Sequence, residues 1–322
     1  MRPLSICVLG GTGFVGSRLC SRLIRDGHGL RVLTRNRDRH RELLVLPGLE
    51  LVNANVHEPA VLAEQFRGRD VVVNLVGILN ERGRSGAGFR VAHAELARKV
   101  VGACRSAGVT RLLHMSSLRA GVDAPSHYLR SKGEAERVVR ADCGPIAWTI
   151  FQPSVIFGPG DGFVNRFAEL LRVFPLLPLA RAGTRFAPVY VGDVAEALAR
   201  ACDDPHTHGA SFELCGPEVF TLRELVRYVA GVLGVRRGVL GLPDALGYLQ
   251  ALTLDFVPGK PLSLDNFRSL ALDSVCTESG LARLGIVPTS LRAVVPGYLG
   301  ERRRDRRLDQ MRRAAGAGSG GT

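Results

Sequence analysis

Cys7-Val8-Leu9-Gly10-Gly11-Thr12-Gly13-Phe14-Val15-Gly16 decides the fold. The apolar run Leu4–Leu9 reads as a buried parallel strand, and a helical pattern begins after the glycines. Gly10 permits the tight turn out of the strand. Gly13 lets the backbone approach a pyrophosphate, and Gly16 lets the new helix pack on the sheet. The free N–H groups and positive dipole end of that helix then face the phosphates. Gly10, Thr12, Gly13, Phe14, Val15 and Gly16 are the first candidate cofactor contacts. An ordinary glycine-rich turn is the competing reading. The placement between strand and helix at the chain start favours the dinucleotide.

Outward from this turn, strand and helix alternate. Strands are expected at Leu30–Leu33, Leu49–Val52, Asp70–Val76, Arg111–Met115 and Ile146–Phe151. Helices are expected at Phe14–Ile24, Pro59–Phe66, Phe89–Ala107 and Tyr128–Arg140. Such alternation means a doubly wound parallel sheet. Past Pro153 the pattern loosens. It predicts a helix Phe163–Phe174, a proline-bounded loop Pro175–Pro178 and a strand Phe186–Val191. Asp193 would cap a helix Val194–Ala201, and Phe212–Leu214 would be a short strand. Thr221 and Glu224 form a capping box for a helix ending at Leu233. The expected fold class is α/β, a Rossmann-type doubly wound sheet with a small C-terminal substrate lobe. Residues 1–155 with 184–215 would form the dinucleotide-binding domain, and 156–183 with 216–300 the lobe. Residues 301–322 read as a basic tail, disordered or loosely helical.

The second strand ends in Thr34-Arg35-Asn36-Arg37-Asp38-Arg39, with no acid at the tip to bind a ribose 2′-hydroxyl. Arg35 and Arg37 stand where a 2′-phosphate would lie, which favours NADP(H) over NAD(H). They could equally form a solvated loop. Asn55 and Val56 are candidate adenine-side contacts. Asn74, Val76 and Gly77 end the fourth strand beside the ligand. Glu81–Gly88 reads as a mobile loop over the site.

The chain has 322 residues, 46% hydrophobic and 23% charged, which is globular composition. Its net charge of +13 invites a nucleic-acid or anionic-membrane partner. However, lysine occurs only at Lys99, Lys132 and Lys260, so the excess is arginine and fits a coding bias. Arg302–Arg313 carries seven arginines against two aspartates and no aromatic side chain. That argues against nucleic acid and for anionic lipid head groups. The seven cysteines are scattered, and Cys7, Cys20 and Cys215 lie in apolar runs. They read as buried free thiols of a reducing compartment. No signal peptide and no run of 18 apolar residues is visible, so the expected location is cytoplasmic, with peripheral contact at the inner membrane. The histidines show no metal-ligand spacing, and no metal is expected. His114, inside the fifth strand, reads as a core histidine.

Tyr128-Leu129-Arg130-Ser131-Lys132 places Tyr128 and Lys132 on one helical face. A nearby ammonium would lower the phenol pKa and suit it to exchange a proton with a carbonyl or alcohol. Together with the glycine turn and Ser116-Ser117, this resembles the short-chain dehydrogenase/reductase superfamily in its extended or atypical branch. Gln152-Pro153-Ser154-Val155-Ile156-Phe157-Gly158, Pro188–Ala195 and Glu213–Glu218 sharpen the resemblance. They are similar to the nucleotide-binding accessory subunit of respiratory complex I and its free-standing bacterial relatives. The resemblance covers residues 4 to 300. It implies a Rossmann domain with a small lobe and NADPH as ligand. The mitochondrial members are thought to hold NADPH structurally, and other members are linked to quinone biosynthesis.

The resemblance assigns Tyr128, Lys132 and Ser117 as catalytic candidates. Ser116, Tyr128, Lys132, Pro153, Val155 and Ile156 join the cofactor contacts. Extended members place the catalytic Ser or Thr third in the polar run after strand five, and that place is Leu118 here. Ser117 either reaches the substrate or only closes the strand end. Two functions follow. One is an oxidoreductase on a carbonyl or alcohol of an apolar, quinone- or lipid-like substrate, with a pocket of Phe157, Phe163 and the Phe174–Leu179 segment. The other is a non-catalytic NADPH-binding accessory or assembly protein of a membrane respiratory complex.

Overall fold

The computed structural model describes residues 2–257 and 260–299; the arginine-rich tail 301–322 lies outside them. Strand β1 (Ser5–Leu9) is buried along nearly its whole length and leads through the glycine turn into helix α1 (Phe14–Arg25). The alternation continues through β2 (Gly29–Thr34), β3 (Leu49–Asn53), α2 (Pro59–Phe66) and β4 (Val71–Asn74). Helix α3 runs from Ala87 to Ala107 in three parts, Ala87–Arg90, a π-type turn Val91–Glu95, and Leu96–Ala107. Then come β5 (Arg111–Met115), α4 (His127–Asp142) and β6 (Ala147–Pro153). After α5 (Val164–Val173) and α6 (Val191–Ala201), β7 (Ala210–Leu214) closes the sheet.

All seven strands are parallel, in the order β7-β6-β5-β4-β1-β2-β3. The order reverses between β1 and β4, so a crevice opens there at the carboxyl ends of the strands. Two apolar layers cover the sheet. α1 and α6 pack one face through Leu19, Leu23, Val194 and Leu198. α2, α3 and α4 pack the other through Phe66, Val100, Ala135 and Val139. Strands buried on both faces explain the continuous Val/Leu/Ile runs in the sequence. Arg111, the first residue of β5, is buried, and its guanidinium donates to the carbonyls of Ala147 and Ala201 and to Thr149 and Thr207. Burial brings its pKa down to about 10, and these acceptors keep the cation solvated by protein.

The lobe has its own core. α5, α7 (Leu222–Leu233) and the segment Leu291–Leu299 enclose Val164, Leu171, Leu225, Val229 and Val295. α8 (Asp244–Leu254) and α9 (Leu264–Ser269) pack beside it around Phe267. The capping box of α7 is present, with Thr221 and Glu224 bonded reciprocally.

Four expectations are corrected. Pro175–Pro178 is not a loop. Leu176–Ala180 is a strand that pairs in parallel with Gly238–Leu242. This two-stranded edge tolerates Pro178, which has no N–H to donate. Phe186–Val191 is not one strand. Pro188 separates Arg185–Phe186, which pairs with Phe220–Thr221, from Val189–Tyr190, which pairs with Ile156–Phe157. Asp193 does not cap a helix, because α6 starts two residues earlier at Val191. Its buried carboxylate instead accepts from Thr289 N (2.6 Å) and Oγ1 (2.8 Å), which ties the lobe's last segment to the sheet. Finally, Cys215 is not a free thiol. It is bonded to Cys276, 61 residues away, which no local spacing could announce. Cys7, Cys20, Cys104, Cys143 and Cys202 are free and buried, and burial pushes the Cys7 and Cys20 thiols up to about 12.

Asp193→Ala removes two charge-assisted bonds and leaves the Thr289 groups unmet. We expect a loss of about 2 kcal/mol in urea denaturation; an unchanged midpoint would show that the latch is dispensable. Thiol titration of the unfolded, unreduced chain should count five free cysteines and not seven.

Candidate functional site

The glycine turn is built as its sequence requires. Gly10 has φ +77°, and Gly13 N donates to Gly10 O at 3.0 Å. A Cβ on Gly16 would lie 2.3 Å from Gly10 O, so only glycine lets α1 start this close to the strand. A Cβ on Gly13 would meet only Gly10 O, at 3.2 Å, so the space before it is open. The N-cap of α1 has no side-chain partner, and its first turn holds no acid. The first N–H groups of α1 are thus left for an anion, which fits a pyrophosphate.

Just past the end of β2, Arg35 and Arg37 are exposed, Arg37 opening a short 3-10 helix (Arg37–Leu43), and neither has an acidic partner among the described residues. The loop is shaped by Asn36, which caps Asp38 N, and by Asn53 Oδ1, which accepts from Arg37 N at 2.7 Å. Asn55 is engaged locally, by His57 N and by its own bond to Glu58, and Val56 packs at the sheet edge. The Asn74 side chain turns inward. It donates to His114 Nδ1 and accepts from Val76 N, so it shapes the strand end. Pro153, Val155 and Ile156 lie where β6 gives way to the short Ile156–Phe157 strand, and Val155 O accepts from Val189 N.

Between these ends stands α4. Ser126 Oγ caps it through Leu129 N. Asp265, from α9 of the lobe, adds a carboxylate that accepts from His127 N (2.7 Å) and Tyr128 N (3.0 Å). A negative charge at a helix N-terminus is well placed. Asp265 thereby anchors the backbone that carries Tyr128. Lys132, one turn on, is buried and donates from Nζ to Met115 O at 3.0 Å. Burial brings its pKa down to about 8, partly offset by the Glu136 carboxylate. The Nζ also faces Gly77, whose missing side chain leaves room for it; a Cβ there would lie 3.2 Å away.

The expected depression of the Tyr128 pKa is not found. Burial raises it, and the Ser117 side chain is the group that pulls it back. The Lys132 ammonium is engaged with Met115, not with the phenol. Ser117 thus sits at Tyr128, while Leu118 turns away into a buried cluster with Ala187 and Cys215. The Ser116 hydroxyl and His114 Nε2 are buried without a hydrogen-bond partner among the described residues.

Sequence reasoning missed two groups. Asp265 is one, since nothing in its lobe helix points to α4. His93 is the other. The π-type turn of α3 carries it into the interior, where its ring meets Tyr128 edge-on at 5.6 Å. Burial, Lys132 and His114 lower its pKa to about 2, so the ring is neutral. Nε2 accepts from Ile78 N (3.1 Å), which leaves the proton on Nδ1 to bond Ser131 Oγ (2.7 Å). Ser131 in turn donates to Tyr128 O (2.8 Å). A π-type turn has no periodic signature, so the helical pattern could not reveal it.

The loop expected to be mobile is pinned. Glu81 accepts from Gly86 N (2.7 Å) and Gly88 N (2.9 Å), and Arg84 pairs with Asp255 of the lobe at 2.6 Å. Of the proposed pocket residues, Phe157 is wholly buried in the lobe core and Phe163 packs against it, whereas Phe174 and Leu176 are exposed. The pocket these residues were expected to form is therefore not built from them as a set. No group of His, Cys, Asp and Glu among the described residues has the geometry to hold a metal ion.

A family model described as NAD(P)H-binding matches residues 10–167. The mitochondrial NADH dehydrogenase (ubiquinone) 1 alpha subcomplex subunit 9 of Arabidopsis thaliana is 31% identical over 314 residues, covering 91% of this chain and 76% of that protein. Ceramide reductase of Caulobacter vibrioides is 31% identical over 242 residues, covering 74% of each. Among solved structures, the dTDP-glucose 4,6-dehydratase of Streptomyces venezuelae with bound NAD superposes with a TM-score of 0.72 at 21% identity, covering 96% of this chain and 98% of that one. The last likeness shows the fold alone. The chain thus belongs to the NAD(P)-binding short-chain dehydrogenase/reductase family, in the branch that holds the complex I accessory subunits and the ceramide-type reductases.

Proposed function

We propose that this chain is an NADPH-dependent oxidoreductase acting on a carbonyl or alcohol of an apolar, lipid- or quinone-like substrate. The observation that carries it is the pair Tyr128 and Lys132, held one turn apart, with Ser117 at the phenol and Lys132 anchored on Met115 O. The open N–H groups behind Gly13 would hold the pyrophosphate, and Arg35 with Arg37 the 2′-phosphate. Lys132 would hold the nicotinamide ribose, and Asn55, Val56, Val76, Ser116, Val155 and Ile156 would line the remainder. When bound, the cofactor supplies or accepts a hydride at the substrate carbon. Tyr128 then moves a proton at its hydroxyl to or from the substrate oxygen. Burial keeps that phenol protonated before reaction, which suits a donor in the reducing direction. Ser117 lies beside that hydroxyl and draws its pKa back towards the ordinary range. His93 holds Ile78 N and, through Ser131, the Tyr128 carbonyl, so it positions both walls. The apolar substrate class draws support from the ceramide reductase relative.

A second reading is a non-catalytic NADPH-holding protein in contact with a respiratory complex, peripheral at the inner membrane. Leu118 favours it, since the residue after Ser117 is committed to the disulfide cluster. The complex I subunits among the relatives favour it too. Tight NADPH without turnover on long-chain ketones or quinones would select this reading.

For the first reading, Tyr128→Phe should keep NADPH binding and lose about 10²–10⁴-fold in turnover. Retained turnover would remove Tyr128 from the chemistry. Arg35→Ala with Arg37→Ala should weaken NADPH at least about tenfold and leave NADH almost unchanged; equal losses for both would refute the 2′-phosphate site. Lys132 is an ammonium below pH 8 and an amine above it. NADPH affinity, followed by fluorescence titration, should therefore fall as pH rises through about 8, and Lys132→Met should flatten that profile.

A further inference from the structure

Helix α8, Asp244–Leu254 (DALGYLQALTL), carries one charge, yet it buries only Gly247 and Ala251. A helix this apolar around its circumference belongs in a core or in a lipid environment. It lies against the Leu176–Ala180 strand, held by Gln250 Nε2 on Pro178 O at 3.0 Å. On the side away from the core, Leu246 and Leu249 point out one turn apart, and Leu176 and Leu240 extend the exposed apolar face. Phe256 follows at the helix end and is 74% exposed. An apolar face of this kind marks a surface that is covered in use.

The charges around it choose the cover. The two acids of α8 and its end are neutralised within the chain. Asp244 pairs with Arg181 at 3.3 Å, and Asp255 with Arg84 at 2.6 Å and Lys260 at 3.1 Å. Arg223, Arg236 and Arg268 on the flanking elements are exposed and have no acidic partner among the described residues. The Arg84 guanidinium stacks on the Phe256 ring at 4.1 Å, cation beside apolar ring. Such a rim repels a second copy of this chain and attracts a negative surface. At 11 residues, α8 is about 16 Å long, too short for the bilayer core of about 30 Å, and no helix among the described residues is long and apolar enough to cross a membrane. We propose that this lobe face docks flat on an anionic lipid bilayer, with the leucines and Phe256 in the acyl boundary and the arginines among the head groups.

The proposal does not depend on the redox reading, and its test is run on the full chain with and without NADPH. Flotation with vesicles of phosphatidylcholine and phosphatidylglycerol should show binding that pure phosphatidylcholine does not support and that salt weakens. Leu246→Ser with Leu249→Ser should reduce this binding at least about tenfold, with the thermal midpoint and NADPH affinity unchanged. The indole introduced by Phe256→Trp should shift its emission to the blue on the anionic vesicles. Undiminished flotation of the double variant would overturn the proposal, as would an unshifted emission from Phe256→Trp. So would loss of flotation on deleting 301–322 alone with no effect of the leucines. Light scattering that shows a dimer abolished by the leucine changes would assign the face to a second copy, and retention only by isolated respiratory-complex protein would assign it to a protein partner; either result refutes lipid docking.

Discussion

The rest of the structure depends on how closely α1 approaches the end of β1. A Cβ on Gly16 would stand 2.3 Å from Gly10 O, a separation no side chain tolerates. With glycine there, the helix begins over the switch between β1 and β4, and its unbonded N–H groups face the crevice. The backbone turn, the left-handed φ of Gly10 and the helix dipole together suit an anion at that point. The parallel order of the sheet then sets where everything else must converge, because every strand ends on the same side.

What converges is held from two directions. From the sheet, Met115 O takes the Lys132 ammonium, and the β4 end leaves room at Gly77. From the lobe, Asp265 grips the first N–H groups of α4. Lys132 is thus a buried cation whose charge is sustained by a carbonyl and by Glu136, at the cost of a pKa near 8. Tyr128 carries a phenol whose pKa burial raises and Ser117 pulls back. His93 is neutral because three influences, burial first among them, oppose its charge. Each group has a defined proton, which is the condition for directing a single proton transfer.

The lobe is more than a cover. Asp193–Thr289 and Cys215–Cys276 tie it to the sheet, and Arg84–Asp255 ties it to the loop beside the site. The exposed apolar face on α8 lies at the end of this same set of contacts. Arg84, in the loop that precedes α3, is shared by both, since it stacks on Phe256 as well as pairing with Asp255.

The sheet was legible because its physics is local. Strands buried on both faces must be apolar runs, and the helices between them must be amphipathic, so Pro59–Phe66 and Arg111–Met115 could be read to the residue. The glycine turn and the Tyr128–Lys132 spacing were legible for the same reason, since each is a constraint within one turn of backbone. Other features joined residues far apart in the chain. The Cys215–Cys276 bond, the Asp193 latch and the Asp265 grip depend on where the lobe folds back. The His93 site depends on a π-type turn that breaks the helical period. Sequence by itself determined the parallel sheet with its glycine turn, and the one-turn spacing of Tyr128 and Lys132. Only the tertiary structure decided their protonation and support, because burial and long-range hydrogen bonds set both.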